Sequence, residues 1–387
     1  MRPYRRVSTP ADERPHLKSQ FQKLCWLRRR AASYIWSRAV AGSIGNGPLS
    51  FLNRVNGMNT TNARVALVSG ALVCLLLFPA AVGAAPTFEY EATLVAEPPL
   101  ARPVAVTLDP SGGVLCVTDE AAQTLELFDS GGFHEFRTST IARISLPRDG
   151  SLDANGGFVF TDAGPDSGRT LRRLNFYGEP VAYEPERPME GWSPRNLVVA
   201  RDGQFVTLDA SGLLAKHDAA SGVLIWSLPL AEPGAEMADV MGRPAEAPDG
   251  RFYVPNSGAR IVQVVSAAGE ILSTFGEPGT KRGQLAFPVG VAFGPAGSIL
   301  VLDRMRHRVL VFDSNHDFVT EFGRWGASPG ELFHPVAMTA SSDGRVWIAQ
   351  GFRGRVQTFR LRYPGRDAKA QSRLDSTSTR GDMHDAG

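Results

Sequence analysis

The residues best placed to do chemistry recur at fixed intervals. Pro147-Arg148-Asp149, Pro194-Arg195-Asn196 and Met241-Gly242-Arg243 follow one another at spacings of 47 residues, and Arg102 and His334 stand immediately before two further markers, Pro103 and Pro335. Guanidiniums gathered around one opening repel each other unless an anion or a carboxylate sits among them. The spacing therefore predicts an anion-binding funnel of Arg148, Arg195 and Arg243, with Asp149, Asn196 and His334 as hydrogen-bonding partners. The competing reading turns these arginines outward or pairs them with acidic loop residues.

Other chemistries find less support. Asp119, Asp162, Asp209 and Asp303 recur with a similar spacing. A ring of them would suit cations, but a carboxylate at a strand end more often accepts backbone N–H bonds from the next loop. A histidine metal site needs about three converging imidazoles. Only His334 lies near a marker, while His134, His217 and His316 fall near outer turns or loops. Cys25, Cys74 and Cys116 are the three cysteines, and a single thiol beyond residue 85 provides neither an intrachain disulfide nor a cysteine zinc site. No Gly-Xaa-Ser-Xaa-Gly elbow or phosphate loop occurs. No catalytic residue, metal or cofactor is assigned, and enzyme activity is not the expectation.

The elements that must carry these residues follow the same period. Gly156, Gly203, Gly250, Gly297 and Gly344 are 47 residues apart, and the first unit has Gly112-Gly113 at the matching turn. Each precedes an apolar run ending in a polar residue, in order Asp119, Asp162, Asp209, Asn256, Asp303 and Gln350. Runs of four to six residues rich in Val, Leu, Ile and Phe between Gly-containing turns read as hairpins. Six units of four short strands are the arithmetic of a β-propeller, an all-β fold. The sixth unit lacks a fourth strand, and Thr87–Val95, which alternates with period two, is available to supply it.

The fifth unit resembles an NHL repeat in Phe287-Pro-Val-Gly-Val-Ala-Phe, Ser298-Ile-Leu-Val-Leu-Asp303 and His307-Arg-Val-Leu-Val-Phe-Asp313. The Gly-rich stretches Phe275–Pro288 and Phe322–Pro335 resemble that family's blade-to-blade crossovers. The resemblance spans Pro86 to Tyr363, is strongest in units five and six, and implies a six-bladed propeller. It does not imply one function, because similar propellers serve as binding scaffolds, sensors, lyases and lactonases. The amidating-lyase relatives use several channel histidines, of which only His334 has a counterpart. The lactonase relatives use a Glu/Asn/Asp calcium cage, for which only Asp149 and Asn196 stand in suitable places.

Composition sets the context. The chain of 387 residues has a formal net charge of +2, but residues 1–57 carry 11 Lys/Arg against 2 Asp/Glu, whereas residues 86–387 carry 29 against 37. That acidic balance argues against nucleic acid, which demands an excess of cations. Val65–Phe78 is an apolar run followed by Pro79 and small residues up to Ala85, the layout of a signal peptide cut after Ala84. Taken as one helix, 65–85 is also long enough for a membrane anchor. Residues 1–57 read as a disordered basic stretch or a mis-called start ahead of Met58, or as the cytoplasmic tail of such an anchor, and 364–387 as a disordered polar tail. The expectation is an exported, monomeric propeller that binds a protein partner or a small anionic ligand. An exported or membrane-tethered hydrolase or lyase using the central channel is the alternative.

Overall fold

Six four-stranded antiparallel sheets are arranged as the blades of a propeller. This computed structural model describes residues 85–364 except 110, 165–167 and 232–240. The expectations for 1–57, 58–84 and 365–387 lie outside the described residues. Among the described residues no helix is long and apolar enough to cross a membrane.

The inner strands are Pro103–Leu108 in blade 1, Pro147–Leu152 in blade 2, Pro194–Val199 in blade 3, Ala245–Glu246 in blade 4, Pro288–Phe293 in blade 5 and Ala337–Ala340 in blade 6. In blades 1 to 5 the next three strands follow outward in chain order. In blade 6 the order is Ala337–Ala340, Arg345–Gln350, Arg355–Arg362 and then Thr87–Thr93, whose Phe88 lies opposite Leu361 and whose Tyr90 lies opposite Phe359.

The second strands show why the sequence lacks strict alternation. Phe205–Asp209, Phe252–Asn256 and Ile299–Asp303 are buried at every position, since each face packs against a neighbouring blade. Alternation returns at the rim, as in Leu224–Pro229. The core is accordingly divided into clusters between blades. One joins Val117 and Phe128 of blade 1 to Trp347 and Val356 of blade 6, and another joins Leu302 and Val311 of blade 5 to Ile348 and Phe359 of blade 6.

The recurrent glycines turn the first hairpin of each blade. Gly156, Gly203, Gly250, Gly297 and Gly344 all have φ between 74° and 94°, the left-handed region that costs other residues about 1 kcal/mol or more. In blade 1 that conformation falls on Gly112, 44 residues before Gly156, which matches the 44 residues from Pro103 to Pro147.

The strand-ending carboxylates have structural work. Asp119 accepts the N–H groups of Ala101, Arg102 and Ala122, and Asp303 accepts those of Ala286, Phe287 and Arg306. Each staples the incoming crossover to its own blade. Arginines reach some of these strand-ending residues as well, as Arg172 does Asp162 at 2.6 Å. Arg355 donates to Gln350 at 3.1 Å, but Arg308 pairs with Glu321 at 3.5 Å. Glu321 also holds the guanidinium of Arg306 at 2.8 Å.

Three histidines make the fold sensitive to acid. His217 lies buried against Trp192 with Nε2 2.9 Å from the carbonyl of Glu186. His316 stacks on Phe275, and His307 lies against His334. Burial lowers the pKa of all three. The unfolded chain takes up their protons at about pH 6.5, before the folded one does. Their stabilising contribution is thus present above pH 6.5 and lost as the pH falls below it. The melting temperature should fall between pH 7.5 and 5.5, and fall less in His217→Gln; an unchanged or rising value would refute this.

Candidate functional site

At the mouth where the inner strands begin, the central channel opens as a funnel of roughly 390 Å³, within the range of small-molecule sites. Arg148, Arg195, Asn196 and Arg243 line it, together with Arg102 and Arg304. Four of the six expected residues therefore meet there. Asp149 and His334 do not line it.

Asp149 sits beneath the funnel, completely buried. Its carboxylate accepts the N–H groups of Gly150 and Leu197, each at 2.9 Å, and Nε of Arg243 at 2.8 Å. Arg243 also donates through Nη2 to the carbonyl of Leu197 at 2.8 Å. Burial raises the Asp149 carboxyl above its ordinary range, and Arg243 with the two N–H groups pulls it back. Blades 2, 3 and 4 are tied at the axis by this arrangement. Arg243 lines both the funnel and the wider cavity of roughly 650 Å³ at the opposite mouth, so the pair forms a septum between them.

Local backbone explains why blade 4 can do this. The Gly242 N–H donates to the carbonyl of Pro255 and the Arg243 N–H to that of Val289. A Cβ on Gly242 would lie 2.7 Å from the Val289 backbone, so only glycine allows the approach that carries Arg243 to the axis. The regular inner strand of blade 4 is correspondingly cut to Ala245–Glu246.

Among the described residues the charge above the septum is mainly positive. Glu120 pairs there with Arg102 and with Arg148 at 3.1 Å in each case. Asp209 also lines the funnel, but its carboxylate is occupied by Ser211 and by the N–H of Leu213. The mutual repulsion is visible in two neighbours. Burial and then the charges of Arg148 and Arg195 lower the pKa of Arg169, and burial and then Arg148 lower that of Arg304. A bound anion would relieve both.

His334 turns toward the rim between blades 5 and 6. Its backbone N–H donates to Nδ1 of His307 at 3.2 Å, and its ring stands edge-on to His307 and Phe352. Among the described residues no group of three or more His, Cys, Asp or Glu side chains could hold a metal ion. Cys116 is buried, and burial pushes its thiol far above the ordinary range, so it packs rather than reacts.

Arg304 and Glu120 escaped the reading of the markers, although a signal existed. Both directly follow a strand-ending polar residue, and the same place in other units holds Ser257 and Gly351, which line the funnel as Arg304 does.

Comparison with known proteins accords with this geometry. Residues 285–312, which span the inner three strands of blade 5, match the NHL repeat. Blade 5 is an NHL repeat. The arrangement around it is a six-bladed β-propeller. Virginiamycin B lyase from Staphylococcus aureus, in a structure with quinupristin, is similar with a TM-score of 0.52 at 14% identity, over 71% of this chain and 100% of that one. A protein of unknown function from Bacteroides thetaiotaomicron is similar with a TM-score of 0.56 at 10% identity, over 72% of this chain and 76% of that one. At such identities the likeness is one of fold. No curated protein matches the sequence.

Proposed function

We propose that this NHL propeller is an exported binding module that takes an anionic ligand into the funnel where its inner strands begin. The observation that carries the reading is the convergence of Arg102, Arg148, Arg195, Arg243 and Arg304 on one concave site of ligand size. Charge-assisted hydrogen bonds from guanidiniums contribute about 1.5–3 kcal/mol each, roughly twice a neutral bond. The Asp149–Arg243 septum presets the floor, so the ligand does not have to order it. Export rests on the apolar segment Val65–Phe78 and the small residues after it.

A thermal-shift panel on the full chain tests this, with inorganic phosphate, sulfate, citrate, phenyl phosphate and benzoate beside calcium and zinc. A ligand at 100 times its Kd stabilises by about 2.7 kcal/mol. For a domain of this size that is a rise of roughly 5–10 °C. The expected result is a rise with at least one anion that disappears in Arg148→Ala and Arg195→Ala. No response to any anion, or a response untouched by both substitutions, would overturn the reading.

A further inference from the structure

The six blades do not contribute equally to the funnel wall, and the inequality is ordered. The residue after each marker falls at the same place in its unit, at the start of the inner strand or just ahead of it. In ring order it is Val104, Arg148, Arg195, Gly242, Val289 and Val336, and all six line the funnel. Blades 5, 6 and 1 are consecutive around the ring, since blade 6 packs against blade 5 on one side and blade 1 on the other. Their three positions are valines, each half-buried beside the funnel. Blades 2 and 3, on the other side, present the two arginines, and blade 4 presents no side chain.

At this place in the units one half of the wall is therefore apolar and the other cationic, while Arg102 of blade 1 and Arg304 of blade 5 add guanidiniums on the valine side. Phe287 and Phe352 extend the apolar half at blades 5 and 6, and Phe352 is 61% exposed at the rim. A small hydrated ion would use the arginines but leave the valines facing water. A sugar phosphate would place hydroxyls against side chains that offer no hydrogen bonds, at a cost. A ligand with an apolar body and one charged end satisfies both halves.

Building on the anion-binding reading above, we propose that the funnel selects an organic anion with a compact apolar body, such as an aryl or branched-chain carboxylate, phosphate ester or sulfate ester. Its charged end faces Arg148 and Arg195, and its body lies against Val104, Val289 and Val336. The Asp149–Arg243 septum limits how deep it reaches, so the body spans the funnel rather than threading the channel.

Matched ligands separate this from its parent reading. Calorimetric titration of the full chain with phenyl phosphate, inorganic phosphate and phenol should show phenyl phosphate binding at least about tenfold more tightly than either of the others. In Val104→Ser/Val336→Ser that preference for phenyl phosphate over phosphate should shrink severalfold. Both valines lie at the mouth, and circular dichroism checks the fold. Equal affinity for phenyl phosphate and phosphate would overturn the selectivity and leave anion binding standing. Equal affinity for phenol and phenyl phosphate, or no binding of any of the three, would overturn the selectivity together with the anion site beneath it.

Discussion

Replacing Asp149 by alanine is expected to lower the melting temperature of the full chain by roughly 5–12 °C. Removing one member of a buried, hydrogen-bonded ion pair costs about 3–5 kcal/mol, because the other charge is left without compensation. Each kcal/mol moves the midpoint of a domain this large by about 2–4 °C at most. Here the abandoned group is Arg243, only 12% exposed, and the N–H of Leu197 loses its acceptor as well. The damage reaches three blades, since Asp149 belongs to blade 2, Leu197 to blade 3 and Arg243 to the start of blade 4. The double variant Asp149→Leu/Arg243→Met should regain much of the loss, since an apolar pair of similar volume has no buried charge to satisfy. Thermal unfolding of the three proteins checks this; a single variant within about 1 °C of the parent would show that the septum does not hold the axis together.

The second large effect concerns Thr87–Thr93. Replacing Thr87–Val95 by a Gly/Ser segment of equal length should cost on the order of 5 kcal/mol, several net hydrogen bonds together with the apolar contacts of one strand. Six residue pairs between this strand and Arg355–Arg362 would be lost. Phe88, which stacks on Phe322 of blade 5 and Phe359 of blade 6, would go with them, as would Leu94, buried in the cluster between blades 1 and 6. Denaturant unfolding should register the loss across the whole domain, because blade 6 touches both neighbours. Unchanged stability would mean that this strand is dispensable for the ring.

The fold was largely legible because one physical unit is repeated. A blade cannot bury both faces alone, so each must carry the same strand lengths, turn glycine and crossover staple, and a constant spacing exposes all three. The site was legible only in part. Arg148, Arg195 and Arg243 stand out as departures from the repeat, and the structure brings them to one funnel. What the repeat hid is that Arg243 is held inward by a carboxylate. Asp149, Asn196 and Arg243 occupy equivalent places 47 residues apart, yet Asp149 and Arg243 consume each other across 94 residues, because the close approach at Gly242 carries Arg243 inward. The direction of His334 was equally hidden. Its positive φ of 44° and its bond to His307 are set by the crossover between blades 5 and 6, and no spacing announces them.

The account stands or falls on whether the arginine half of the funnel binds an anion. The most direct measurement is the Kd of phenyl phosphate for the full chain and for Arg148→Gln/Arg195→Gln at one fixed ionic strength. Circular dichroism and the melting temperature of the variant check that it keeps the parent's fold. Loss of two charge-assisted bonds predicts an affinity at least about tenfold weaker, a change of 1.4 kcal/mol or more. An affinity equal to the parent's would contradict it, and would place any ligand of this propeller elsewhere.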